Sequence, residues 1–166
     1  MKIAPSQRAM VLPVIKMGRQ AIATATINGM SSATIPGATG DDKALMETTF
    51  DMAPSDSVSL TGLLPGNYDL YAYSWGGQIF GPRTVGFTIQ TGNTYTGSVS
   101  FGSTWPGGQV LGVTYTRIPI QVLPNLNFLT LSIGSGHDFD VLAGIQLVPV
   151  PVPGAPLVLL GASLFT

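Results

Sequence analysis

Read as apolar and polar positions, most of this chain repeats with a period of two. In "SVSLTGL" Val58 and Leu60 share one face, "YDLYAYSW" alternates again, and "RTVGFTIQ" sets Val85, Phe87 and Ile89 together. Such alternation is what a half-buried β-strand requires, because successive side chains leave opposite faces of the pleat. Further strands are predicted at "AIATATI" (21–27), at "TYTGSVSF", whose large residues are Tyr95, Val99 and Phe101, and at "VLGVTYTRIPIQV", "NFLTLSI" and "FDVLAGIQLV". Pro119 marks a bulge or a sheet edge, since proline has no N–H for an interior ladder. Asn28-Gly29, Pro65-Gly66 and "TGN" supply turns, and "GSGHD" joins the last two runs, which read as a closing pair of strands.

One helix is predicted, in "DDKALMETTFDMAP". Asp41 or Asp42 can cap it, and Ala44, Leu45 and Met46 favour it. Thr48, Thr49 and Phe50 weaken it, and Pro54 closes the segment. About eight strands and at most one short helix define the expected class: an all-β, antiparallel β-sandwich of jelly-roll or galactose-binding-like form.

Composition narrows the partners. Charged residues make up 9% of the chain, against roughly a quarter in an average domain. Hydrophobic residues at 45% and aromatics at 8% argue against disorder. Of the 7 Lys and Arg, Lys2, Arg8, Lys16 and Arg19 precede residue 20, and the remainder is mildly acidic. No basic face forms on the body of the chain, so nucleic acid is not an expected partner. With 0 cysteines there are no disulfides, thiolate zinc sites or cysteine nucleophiles.

Catalytic patterns are missing as well. His137 is the single histidine, with Asp138 and Asp140 beside it, and this spacing fits a polar hairpin tip better than a metal corner. Serines occur without a G-x-S-x-G elbow, and the glycines of "GSTWPGG" lack the strand-to-helix context of a phosphate loop. No enzyme is expected. Asp41, Asp42, Glu47 and Asp51 form the one acidic cluster. Asp41 and Asp42 are the candidate ligands for a calcium ion, with a solvated helix start as the alternative. Aromatics are the better lead. Alternation puts Tyr71, Tyr73 and Trp75 opposite Leu70 and Ala72, either as core or as an exposed stripe able to stack on sugar rings. Trp105, in the loop "STWPGG", is a second candidate glycan contact.

The stretch "LAGIQLVPVPVPGAPLVLLGASLF" resembles the C-terminus of PEP-CTERM proteins, bacterial exported proteins sorted by an exosortase. In that family a final strand like "GIQLV" leads into a Val-Pro-Glu-Pro signature, then a short transmembrane helix and a basic cluster. Val148, Pro149, Val150, Pro151, Val152 and Pro153 stand at the signature, with valine in place of glutamate. "ALMETTFD", "SVSLTGLLPGNYDLYAYSW" and "LTLSIGSGHDFDVLAGIQLVP" look like the β-sandwich domains that precede this signal. The apolar tail from Pro156 to Thr166 would make about 16 Å of helix, short of the roughly 30 Å hydrocarbon core, and no basic residue follows it.

The resemblance implies a non-enzymatic exported protein of the cell surface or extracellular matrix, with exosortase-type sorting machinery as its partner. A carbohydrate-binding jelly-roll module is the first alternative, and a self-assembling extracellular fibre or coat subunit the second. The expected organisation is an N-terminal segment 1–20 (a degenerate signal or mis-assigned start), a sandwich 21–148 and a Pro-rich sorting-like tail 149–166.

Overall fold

The computed structural model describes residues 8–10, 25–27, 31–32, 37–46, 48–53, 56–76, 81–134 and 140–151. The Asn28-Gly29 turn, Glu47, His137, Asp138, Val152 and Pro153 lie outside the described residues. In chain order the elements are β1 (Arg8–Met10), β2 (Ala25–Ile27), β3 (Ser31–Ser32), α1 (Gly40–Met46), β4 (Thr48–Met52), β5 (Ser57–Thr61) and β6 (Gly66–Tyr73). They continue with β7 (Arg83–Gln90), β8 (Thr94–Phe101), β9 (Tyr115–Val122), β10 (Phe128–Gly134), β11 (Asp140–Leu142) and β12 (Gly144–Pro149).

The predicted helix proves to be half helix and half strand. Thr39 O accepts the first helical bond, from Lys43 N at 3.3 Å, so Thr39 holds the capping position expected of Asp41 or Asp42. Both aspartates instead occupy the first turn, where their charge complements the helix dipole. The β-branched pair Thr48-Thr49 and Phe50 lose side-chain freedom in a helix, and they form β4 instead.

Two antiparallel sheets face each other. One has the order β5-β10-β7-β8; the other has β12-β6-β9, and β11 beside it pairs with β4, which pairs in turn with β3. From β5 to β11 every connection except the β7–β8 hairpin crosses between the two sides of the sandwich, as in a jelly roll. The all-β sandwich with one short helix is therefore the observed class. "NFLTLSI" and "FDVLAGIQLV" do not pair with each other, contrary to expectation. Strand β10 is central in its sheet, flanked by β5 and β7, so it has no free edge. The final segment instead pairs with β4 through β11 and with β6 through β12.

The inward faces interdigitate. Strand β7 contributes Val85, Phe87 and Ile89, β10 contributes Leu129, Leu131 and Ile133, and β9 contributes Ile118, Ile120 and Val122, all buried. The outward face of the β5-β10-β7-β8 sheet is mostly hydroxyl. Thr84 Oγ1 and Ser100 Oγ lie 2.8 Å apart, and Ser59 Oγ and Thr130 Oγ1 3.4 Å apart. This surface needs no charge to be wetted, which explains part of the low charge content.

Gly92 makes the β7–β8 turn with φ +91°, a backbone geometry that L side chains avoid. Gly97 lets β8 approach β9: a Cβ there would lie 2.7 Å from both Cδ1 and Cγ1 of Ile118. Gly97→Ala is therefore expected to lower stability by about 1–3 kcal/mol through overpacking. In an Ile118→Ala background the added cost should nearly vanish, as a double-mutant cycle in urea would read. An equal cost in both backgrounds would place the strain elsewhere.

Candidate functional site

Strand β6 is paired on both edges, and the register decides what reaches its outer surface. Tyr73 lies opposite Gly144 and Tyr115, Tyr71 opposite Gln146 and Arg117, and Asp69 opposite Val148 and Pro119. Directly opposed residues share a face. The outer face of β12-β6-β9 thus carries these side chains, while Leu70 and Ala72 are fully buried beneath it.

Three tyrosines form the centre of this face. The Tyr71 and Tyr115 rings are 6.0 Å apart at 41°, and the Tyr73 and Tyr115 rings 5.6 Å apart at 34°. Each is half-buried, so one part of the ring rests on the sheet and another part faces solvent. Tyr73 Oη donates to Gln146 Oε1 at 3.1 Å, which fixes that ring. Helix α1 closes this end: a Cβ on Gly144 would come within 2.9 Å of Leu45 Cδ1, and Asp42 Oδ2 lies beside Gly108. Burial raises the Tyr73 pKa above its ordinary value, and the phenols of Tyr115 and Tyr71 and the Asp42 carboxylate push it in the same direction. Burial alone raises that of Tyr68, which donates to Leu64 O at 2.7 Å.

At the other end the face becomes polar. Arg117 Nη2 donates to Asp69 Oδ2 at 2.8 Å, and this bond, with the Asp69 charge, raises the Arg117 pKa further. The Arg117 side chain is 53% exposed. Beyond the pair lies a hollow of about 350 Å³, bordered by Asn67, Asp69, Arg117, Pro119, Gln121 and Val150.

The structure separates the four candidate aromatics into two pairs. Tyr71 and Tyr73 do form an outward stripe, but Trp75 is 1% exposed and Trp105 7%, so neither offers a ring face to a sugar. The reason is local. Strand β6 ends at Tyr73, Ser74 N bonds to Thr114 O and Ser74 Oγ to Val141 O, and the chain turns inward. Trp75 then packs on Phe101 at 5.2 Å and edge-on to Trp105 at 5.4 Å. Asp41 is exposed and Asp42 partly so. Among the described residues, no three histidines or carboxylates gather where they could hold a metal ion. Asp140 is buried at the start of β11 and pairs with Arg83 at 3.5 Å. Val148 and Pro149 finish β12, and Val150 N bonds to Asn67 O at 2.8 Å.

Tyr115, Arg117, Asp69 and Gln146 were missed by sequence reasoning. The first two were legible, since "YTRIPIQV" alternates with Ile118, Ile120 and Val122 inward and so must turn Tyr115 and Arg117 outward. Gln146 and Asp69 carried no such signal, because their roles depend on pairing partners.

No family model matches the sequence, and no curated protein matches it. Among solved structures, a calcium-binding mutant of Bacteroides uniformis beta-glucuronidase 2 aligns with 89% of this chain and 17% of its own, at 15% identity and TM-score 0.50. The same enzyme bound covalently to cyclophellitol-6-carboxylate aziridine aligns with 81% of this chain and 15% of its own, at 17% identity and TM-score 0.48. TmCBM61 in complex with beta-1,4-galactotriose aligns with 63% of this chain and 72% of its own, at 13% identity and TM-score 0.36. At TM-score 0.50 the glucuronidase likeness bears on the sandwich fold alone. The chain spans less than a fifth of that enzyme's length.

The raised pKa of Tyr73 has a testable consequence. Its neutral phenol is favoured in the folded state, so this contribution to stability is intact below the free-phenol value of about 10 and is lost as pH rises through the higher folded value. A tyrosinate absorbance titration of the 5 tyrosines should show a late fraction, reduced in Tyr73→Phe. All phenols titrating together at the ordinary value, five in the wild type and four in the variant, would contradict this.

Proposed function

We propose that this protein is a non-catalytic glycan-binding sandwich whose contact surface is the strip Tyr73, Tyr115, Tyr71. One observation carries the reading: three half-buried tyrosines, braced by each other and by Gln146, stand on the outer face of a sheet instead of entering its core. A pyranose presents an apolar face of C–H groups and a rim of hydroxyls. Tyrosine rings accept the first, and their hydroxyls, Gln146 and Asp42 exchange hydrogen bonds with the second. The strip is uncharged except at its ends, which suits a ligand recognised by stacking and hydroxyl bonding.

Export of the PEP-CTERM type is a second reading, favoured by the way Val150 and Pro151 follow directly from the last described strand. A sorting segment attached there would emerge from the sandwich edge without disturbing the core. Fractionation of the native cells tests it, and protein confined to the cytoplasm would overturn it.

On a glycan array followed by calorimetry, Tyr115→Ala and Tyr71→Ala should each weaken binding by at least about tenfold, the effect of losing roughly 1.5–3 kcal/mol of apolar contact. Ser98→Ala, on the opposite sheet, should leave binding unchanged. Indifference to both tyrosine changes would sink the site. The same titrations with and without a chelator read whether calcium at Asp41 and Asp42 contributes.

A further inference from the structure

The polar end of the tyrosine strip is built differently from the rest of the surface. Asp69 is only 8% exposed. Its Oδ2 accepts from Arg117, while its Oδ1 is buried and has no donor among the described residues. A carboxylate oxygen in that state lacks a hydrogen bond that its charge would make strong. Arg117 holds its partner through Nη2 alone among the described contacts and is half exposed at the border of the hollow, which leaves other N–H groups of its planar fork unused by that bond. An arginine with unused donors therefore stands beside a carboxylate one of whose oxygens is unmet just beneath the surface, and both residues border a hollow of about 350 Å³. That volume lies at the lower end of ligand pockets, and the Pro119 ring and Val150 add apolar wall to it.

We propose that this hollow is a second subsite, which takes two neighbouring hydroxyls of an uncharged sugar between Asp69 and Arg117. The inference rests on the glycan reading of the tyrosine strip and adds the class of sugar. A hydroxyl both donates and accepts, so one member of a vicinal pair donates to the Asp69 carboxylate while its neighbour accepts from Arg117. An acidic sugar fits poorly. Its carboxylate would gain Arg117 but lie against Asp69, which already neutralises that cation, and Asp42 at the helix end adds further negative charge. Tyrosines then grip ring faces along the strip, and the hollow reads the hydroxyl edge of the ring at its end.

Calorimetry of the full chain tests this with galactotriose, cellotriose, mannotriose and trigalacturonate. At least one neutral trisaccharide is expected to bind, trigalacturonate at least about tenfold more weakly, with little dependence on salt. Asp69→Asn should weaken the neutral ligand by about tenfold or more while the melting transition is retained. A ligand-side arm avoids any folding defect: a deoxy analogue of the bound trisaccharide, lacking one hydroxyl of the vicinal pair but keeping the ring, should cost wild-type affinity by a similar factor. If Tyr115→Ala abolishes binding but Asp69→Asn and the deoxy sugar behave as the unmodified ones, the subsite is wrong and the strip stands. Preferential, salt-sensitive binding of trigalacturonate would also overturn it. If none of the sugars binds, strip and subsite fall together.

Discussion

The site depends on the register of β6. This strand is paired through its whole length with β9 and along most of it with β12, and its side-chain period is two. A slip of one residue would carry Leu70 and Ala72 to solvent and drive Tyr71 and Tyr73 into the core. Leu70 and Ala72 are fully buried, and the phenolic hydroxyls would find few partners between the sheets, so the slipped register is doubly disfavoured. The tyrosine strip is thus a by-product of core formation. What the core requires on one face of β6 determines what is displayed on the other, and β9 obeys the same rule with Ile118 and Ile120 beneath Arg117 and Pro119.

Periodicity served well wherever the chain stayed in a ladder. The buried faces of β5, β7 and β10 can be read directly from Val58 and Leu60, from Val85, Phe87 and Ile89, and from the leucines and isoleucine of "FLTLSI". It failed at Trp75 because alternation holds only while successive residues are pleated. One residue past Tyr73 the chain is bonded sideways, from Ser74 N to Thr114 O and from Ser74 Oγ to Val141 O, and facing is decided by tertiary contacts. Trp105 shows the same limit in a loop. Long-range pairing was equally hidden: nothing in "NFLTLSI" or "FDVLAGIQLV" says that β5 and β7 will occupy both edges of β10.

With Phe101 the two buried tryptophans fill the end of the sandwich where β6 departs, and Gly37, ahead of α1, passes close to Trp105 Cδ1. Helix α1 follows a few residues later, with Leu45 beside Gly144 and Asp42 close enough to Tyr73 to raise its pKa.

Charge use on the molecule separates structural from surface roles. The chain holds 7 basic and 8 acidic side chains, yet both Asp69 and Asp140 are buried, each against an arginine. The Arg83–Asp140 pair is closed, with side-chain exposures of 10% and 3%. Burying both members of an ion pair gains little net stability but strongly penalises any arrangement that separates them, so this pair ties β7 to β11 as a positional constraint. The Arg117–Asp69 pair is asymmetric, with exposures of 53% and 12%. Its carboxylate is held in the sheet while its guanidinium reaches solvent beside the hollow. A pair serving only to fasten β9 to β6 would be redundant there, since the backbone ladder already joins the two strands at every position from Gly66 to Tyr73. The open geometry instead leaves much of the guanidinium in solvent, at the border of the hollow that lies beyond the tyrosine strip.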